Sequence, residues 1–86
     1  MNVAGTQPVG SVTLRLDEEY QVPFEARLMD VSASGFRARH ANSEMRSGQV
    51  CDFTLPGTRG RAKAVSNRTT PEFIETGFLI LLHETT

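Results

Sequence analysis

The sequence predicts an all-β fold, a six-stranded antiparallel β-barrel. Two observations predict it: short segments in which apolar and polar residues alternate with a period of two, and turn signatures that separate these segments every 8–12 residues or so. No segment shows the longer period of a helix of ordinary length. Short strands at this spacing are typical of small barrels and sandwiches, and 86 residues are enough for one hydrophobic core.

The first three strands are predicted in the first half of the chain. Alternation begins at Ser11 and continues over residues 11–16, and the acidic residues 17–19 form the connection. The second strand covers residues 22–28, where Pro23 implies that the strand begins at an edge or just after the proline. Alternation in residues 36–40 predicts the third strand.

Three further strands follow a polar connection at residues 41–48, in which a single large apolar group, Met45, is expected to dock on the core. The predicted strands are residues 50–55, 59–68 and 73–82. Within the last of them Gly77 indicates a bulge or a close backbone approach. The final residues, 83–86, are expected to support no further element.

The domain is predicted to span residues 11–83, preceded by a flexible arm at residues 1–10 in which glycines and a proline forbid regular structure. A single cysteine, Cys51, cannot form an internal disulfide, and its alternating apolar neighbours predict a buried thiol. Neither a signal peptide nor an apolar run long enough to span a membrane is present. These features favour a cytoplasmic protein with no membrane insertion.

The charge pattern excludes several classes of function. The net charge is −1, so no field attracts nucleic acid to the domain, although eight of the nine basic residues are arginines. Two histidines and one cysteine, without close spacing, predict neither a metal site nor a nucleophile and its base. We therefore expect no enzyme, no catalytic residues and no cofactor.

The most informative segment is the turn at residues 30–35, Asp-Val-Ser-Ala-Ser-Gly, which two arginines follow. Asp30 either accepts hydrogen bonds from a ligand or caps its own turn by bonding backbone N–H groups. The hydroxyl groups of Ser32 and Ser34 likewise either bind a ligand or form hydrogen bonds within the turn. Gly35 allows a positive φ or a close approach. Arg37 and Arg39 follow the turn on the same face of the predicted strand, where they either bind an anion or form ion pairs with Glu18 or Glu25.

The chain resembles the PilZ domain family, a bacterial module that senses cyclic di-GMP. The family's turn motif, Asp/Asn-x-Ser-x-x-Gly, matches Asp30, Ser32 and Gly35. The strand patterns at residues 24–29, 47–50, 60–65 and 76–79 also agree in type and order, so that the resemblance covers about residues 11 to 82. It implies a bacterial, cytoplasmic signalling module.

The resemblance implies a ligand site made by the turn and its neighbouring arginines. We expect the site to contain the residues Asp30, Ser32, Gly35, Arg37, Arg39 and Arg15. The family's second motif, Arg-x-x-x-Arg on the arm, is missing, because residues 1–14 contain no Arg or Lys. Two lost charge-assisted hydrogen bonds, each worth about 1.5–3 kcal/mol, predict weak binding or none.

Three functions follow as hypotheses. The first is a cyclic di-GMP receptor or effector that controls motility, pili or exopolysaccharide. The second is a ligand-independent adaptor that docks protein partners through its barrel surface, because the arm arginines are missing while the core pattern is intact. The family often has a C-terminal helix that is not predicted here, so one barrel end is expected to lie open to a partner or to a second copy of the chain. The third, a weak binder of single-stranded nucleic acid, is disfavoured because the basic residues are not interleaved with exposed aromatic ones.

Overall fold

The computed structural model describes residues 9–16 and 22–85, which form six β-strands and no helix. The strands are β1 (Gly10–Leu16), β2 (Phe24–Val31), β3 (Gly35–His40), β4 (Val50–Leu55), β5 (Thr58–Thr69) and β6 (Ile74–Thr85). Every neighbouring pair is antiparallel, and the strands close into a barrel in the order β1-β2-β3-β6-β5-β4. The predicted fold class is confirmed.

The strand bounds differ from the sequence prediction mainly at the end of the chain. β2 begins at Phe24, directly after Pro23, as the proline implied. The prediction that residues 83–86 support no element is wrong, because β6 continues to Thr85 and its residues 82–85 pair with β5. Backbone pairing extends beyond the apolar run on which the prediction relied. Of the predicted arm at residues 1–10, residues 1–8 lie outside the described residues, and Gly10 belongs to β1 rather than to the arm because it pairs with Leu28 of β2. The predicted connection at residues 17–19 also lies outside the described residues.

The inward positions of all six strands form one core. Phe36 lies at its centre, with ring centroids 4.9 Å from Phe78 and 5.2 Å from Phe53. The three rings supply much of the buried apolar area, which is the main stabilising contribution in a domain of this size. Cys51 is buried as predicted, and Met45 docks on the core from the connection between β3 and β4.

The small inward residues of β5 allow the barrel to close tightly. Ala62 and Ala64 are fully buried, and the neighbouring strand β6 brings Phe78 and Ile80 against them. A bulge in β5 lies opposite Gly77, which is where the sequence indicated an irregularity. No helix in the described part of the chain has the length and apolarity needed to cross a membrane.

Candidate functional site

A β-bulge at Met29 turns the side chain of Asp30 to the outer face of the barrel. Ala26 and Leu28 point inward, so an unbroken alternation would bury Asp30 as well. The register between β2 and β3 shifts between Leu28 and Asp30, and Met29 is buried in the extra position. The bulge therefore places a carboxylate on the surface at the end of β2, beside the turn.

Asp30 forms an ion pair with Arg37, which lies opposite it on β3. The Arg37 Nε atom donates a hydrogen bond of 3.1 Å to Asp30 Oδ2, and Nη2 donates to the same oxygen. Both side chains remain about half exposed. The hydrogen bond with Asp30 and its negative charge raise the pKa of Arg37 above its usual value. The sequence predicts a ligand-binding or a turn-capping role for Asp30, and for Arg37 an anion or a pair with Glu18 or Glu25. In the structure Arg37 pairs with Asp30 rather than with Glu25. Glu18 lies outside the described residues.

The turn itself is closed by local hydrogen bonds. The Ser32 N–H group donates to the Gly35 carbonyl at 2.8 Å, and Ser32 Oγ donates to the same carbonyl at 3.3 Å. The hydroxyl oxygens of Ser32 and Ser34 lie 3.5 Å apart. Both hydroxyls are exposed and hold the turn in shape, which is the commoner use of serine at such positions.

Gly35 is required by the close approach of β6. A Cβ atom at Gly35 would lie 2.1 Å from the carbonyl oxygen of Phe78, a distance that no side chain tolerates. Its φ is not in the left-handed region, unlike that of Gly48 and Gly57. Of the two reasons expected for this glycine, the close approach therefore applies.

Arg39 lies one step along the same outer face, in contact with both an anion and a ring. Its Nε atom donates to Glu75 Oε2 at 3.1 Å, and its guanidinium carbon lies 4.3 Å from the centroid of Phe73. Arg27 lies opposite Arg39 on β2 and has no ion-pair partner among the described residues. The sequence interpretation missed Arg27 and Phe73, although the outward parity of Arg27 in β2 was a usable signal.

A cavity of about 720 Å³ adjoins these arginines. Its walls include Arg27, Arg39 and Phe73, with Glu25 and Glu72 as the carboxylates. The volume falls in the range of small-molecule sites. A planar group can stack against the Arg39–Phe73 pair, and an anion can reach Arg27.

Arg15 does not belong to this group of residues. Asp30 lies at the end of β2, whereas Arg15 lies past the position where Leu14 pairs with Phe24 at the start of β2. Arg15 instead pairs with Asp52 on β4, with 2.8 Å between Nη2 and Oδ2. The structure thus brings together five of the six predicted ligand-binding residues and separates the sixth.

Neither histidine belongs to a group of metal-binding side chains in the described part of the chain. His40 is buried in the barrel and hydrogen-bonded, and His83 is exposed near the end of β6. Among residues 9–16 and 22–85, no three His, Cys, Asp or Glu side chains are grouped so that they could hold a metal ion. The chemistry available at the turn is therefore hydrogen bonding, ion pairing and stacking.

Comparison of the chain with models of known protein families, with curated proteins and with solved structures found no match. The resemblance to PilZ domains therefore depends on the turn motif and the order of the strand patterns in the sequence. The barrel is compatible with that resemblance, but a small barrel also occurs in many unrelated proteins.

Proposed function

We propose that this protein is a PilZ-like receptor or effector module of bacterial second-messenger signalling, and that its ligand, cyclic di-GMP, binds weakly. The observation that carries the proposal is the outward carboxylate of Asp30 at a Ser- and Gly-containing turn, next to three arginines on one barrel face. The expected output is control of motility, pili or exopolysaccharide through a protein partner.

Each part of the ligand has a counterpart on this face. The Asp30 carboxylate accepts hydrogen bonds from the N–H groups of a guanine edge. Arg27, which has no ion-pair partner in the described part of the chain, neutralises a phosphate. The Arg39–Phe73 pair offers a flat surface for the second base in the adjoining cavity.

Two features keep the affinity low. Arg37 already donates two hydrogen bonds to Asp30 Oδ2, so a guanine that bonds both carboxylate oxygens has to displace a charged donor from one of them. Residues 1–14 contain no Arg or Lys, so this segment contributes no cationic side chain to phosphate binding. A loss of about 3–6 kcal/mol relative to a site with two further arginines lowers affinity by a factor of about 100 to 10,000.

Titration calorimetry with cyclic di-GMP tests the proposal. We expect the wild-type protein to bind with a dissociation constant on the order of 100 μM. Asp30→Asn and Arg27→Gln should each weaken binding by about tenfold, the effect of losing one charge-assisted contact. Arg46→Gln, an exposed arginine in the connection between β3 and β4, is the control for the change of charge and should leave affinity unchanged. Equal affinity in all four proteins would contradict the proposed site.

A ligand-independent adaptor is the second candidate, and the edge of β6 favours it. β3 pairs with β6 only from Ile74 to Leu79, and Ile80 N–H donates to the Ser34 carbonyl. Beyond that point β6 has a free edge among the described residues, with Leu81 and Leu82 more than half exposed. Such an edge can accept an extended segment of a partner protein as an added strand. No heat with cyclic di-GMP at ~1 mM, about ten times the expected dissociation constant, would favour the adaptor over the receptor.

A further inference from the structure

A second charged groove lies on the barrel face formed by β1, β4, β5 and β6. It encloses about 390 Å³, a volume suited to a small ligand. Two rows of paired residues line it: Arg15, Asp52, Arg61 and Leu82 form one row, and Thr13, Thr54, Arg59 and Glu84 form the other. No residue of the Asp30 turn contributes to it.

Asp52 holds two guanidinium groups side by side in this groove. Its Oδ2 atom accepts a hydrogen bond of 2.8 Å from Arg15 Nη2, and its Oδ1 atom accepts one of 2.8 Å from Arg61 Nη1. The hydrogen bond from Arg15, with help from Arg61, lowers the pKa of Asp52, so its carboxylate stays ionised at neutral pH. The Asp52 carboxylate thus holds the guanidinium groups of Arg15 and Arg61 next to each other.

Arg59 supplies a third guanidinium that is only loosely held. Its Nε atom lies 3.4 Å from Glu84 Oε1, and both side chains are more than 60% exposed. An exposed pair of this kind contributes little to stability, so an incoming anion can redirect Arg59 at little cost.

Gly60 allows the backbones of β5 and β6 to approach closely next to the groove. A Cβ atom at this position would lie 1.9 Å from the Leu82 carbonyl oxygen, so no side chain fits there. Pro23 and the exposed side chain of Leu82 add apolar surface to the groove.

We propose that this groove binds a small phosphate monoester with a compact apolar substituent. Arg15, Arg61 and Arg59 contact the phosphate oxygens, because a tetrahedral dianion offers separate oxygens to several guanidinium groups. The substituent packs against Pro23 and Leu82. The site is independent of the proposed cyclic di-GMP site, since it uses another face of the barrel.

Phenyl phosphate is the probe, titrated into the full chain while NMR records the backbone amides and the arginine Nε–Hε groups. We expect saturable shifts at Arg15, Arg59 and Arg61, with a dissociation constant in the low millimolar range or tighter. Inorganic phosphate should bind at least about fivefold more weakly, since it lacks the apolar group. Arg15→Gln should weaken phenyl phosphate binding by about tenfold.

Two control variants test whether binding depends on the groove itself. One controls for a general effect of charge, and the other controls for binding at the Asp30 turn. Arg46→Gln makes the same change of charge outside the groove, and Asp30→Asn alters the turn; neither should change phenyl phosphate binding. Shifts that rise linearly without saturation, or equal weakening by Arg15→Gln and Arg46→Gln, would overturn the proposal. Loss of cyclic di-GMP binding in Asp30→Asn with intact phenyl phosphate binding would show that the two sites are separate.

Discussion

The Nε2 atom of His40 lies 2.7 Å from Thr76 Oγ1 inside the barrel. This contact belongs to a chain of hydrogen bonds that crosses the core. The Asn42 N–H group donates to His40 Nδ1, so Nε2 carries the proton and donates to Thr76. Thr76 Oγ1 donates to Asn67 Oδ1 at 2.6 Å, and Asn67 Nδ2 donates to the Met45 carbonyl. This series of hydrogen bonds requires a neutral His40, and it links the connection between β3 and β4 to the core.

Stability should therefore fall in mild acid. Burial lowers the pKa of His40, and a proton on Nδ1 would face the Asn42 N–H group. With an unfolded-state pKa of about 6.5, the stabilisation is complete above that pH and is lost as the pH falls towards the lower folded-state pKa. Urea unfolding should show that the free energy of unfolding falls by up to about 1.4 kcal/mol for each pH unit in this range.

Two histidine variants isolate that contribution. His40→Gln should remove the part of the pH dependence of stability that comes from this histidine. Glutamine can accept and donate hydrogen bonds, but it does not titrate. His83→Gln should retain it, since His83 is exposed. An identical pH dependence in the wild type and His40→Gln would contradict the assignment.

Thr76→Val should lower the free energy of unfolding by about 1–3 kcal/mol, because it leaves the buried His40 Nε2–H group without its acceptor and removes the hydrogen bond to Asn67 Oδ1. Thr69→Val, at an exposed position of β5, should change it by less than about 0.5 kcal/mol. Chemical denaturation of both variants checks the difference. Equal stability of the two would mean that water replaces the lost hydroxyl.

Gly35→Ala should destabilise the barrel by about 3 kcal/mol, the upper end of the range for overpacking, because its Cβ would meet the backbone of Phe78. Gly10→Ala is the matched control, since its nearest neighbour, Leu28 Cδ2, lies at an ordinary 4.0 Å. Thermal unfolding should separate the two variants clearly. A stable Gly35→Ala protein would show that β3 and β6 can move apart.

Phe53→Ala should cost about 3–5 kcal/mol, because Phe53 is 1% exposed and packs beside Phe36. Phe73→Ala, at a partly exposed position, should cost less in stability. Denaturant midpoints for the two variants test the order. A larger loss of stability in Phe73→Ala than in Phe53→Ala would contradict the assignment of Phe53 to the core that stabilises the barrel.

Most of the fold follows from the alternation of residue types. The parity of residues 36–40 predicted that Phe36 faces the core and that Arg37 and Arg39 face outward, and the structure confirms both. Cys51 and Phe53 were likewise predicted to be buried in β4. These positions lie in regular strands, where side-chain direction depends on local sequence alone.

The candidate site was less predictable, because it depends on irregular backbone and on long-range register. By parity Asp30 belongs to the buried face, and the bulge at Met29 reverses it. Arg15 pairs with Asp52, 37 residues away along the chain, because the barrel closes by pairing β1 with β4. Neither a bulge nor barrel closure leaves a local pattern in residue types.

The most direct test of the proposed binding of cyclic di-GMP beside the Asp30 turn is an NMR map of the protein during titration with this ligand. We expect saturable shifts that cluster on Asp30, Ser32, Arg27 and Arg39, with Arg46 unaffected. No shifts at ~1 mM ligand, or shifts confined to the groove at Arg15 and Arg61, would contradict it.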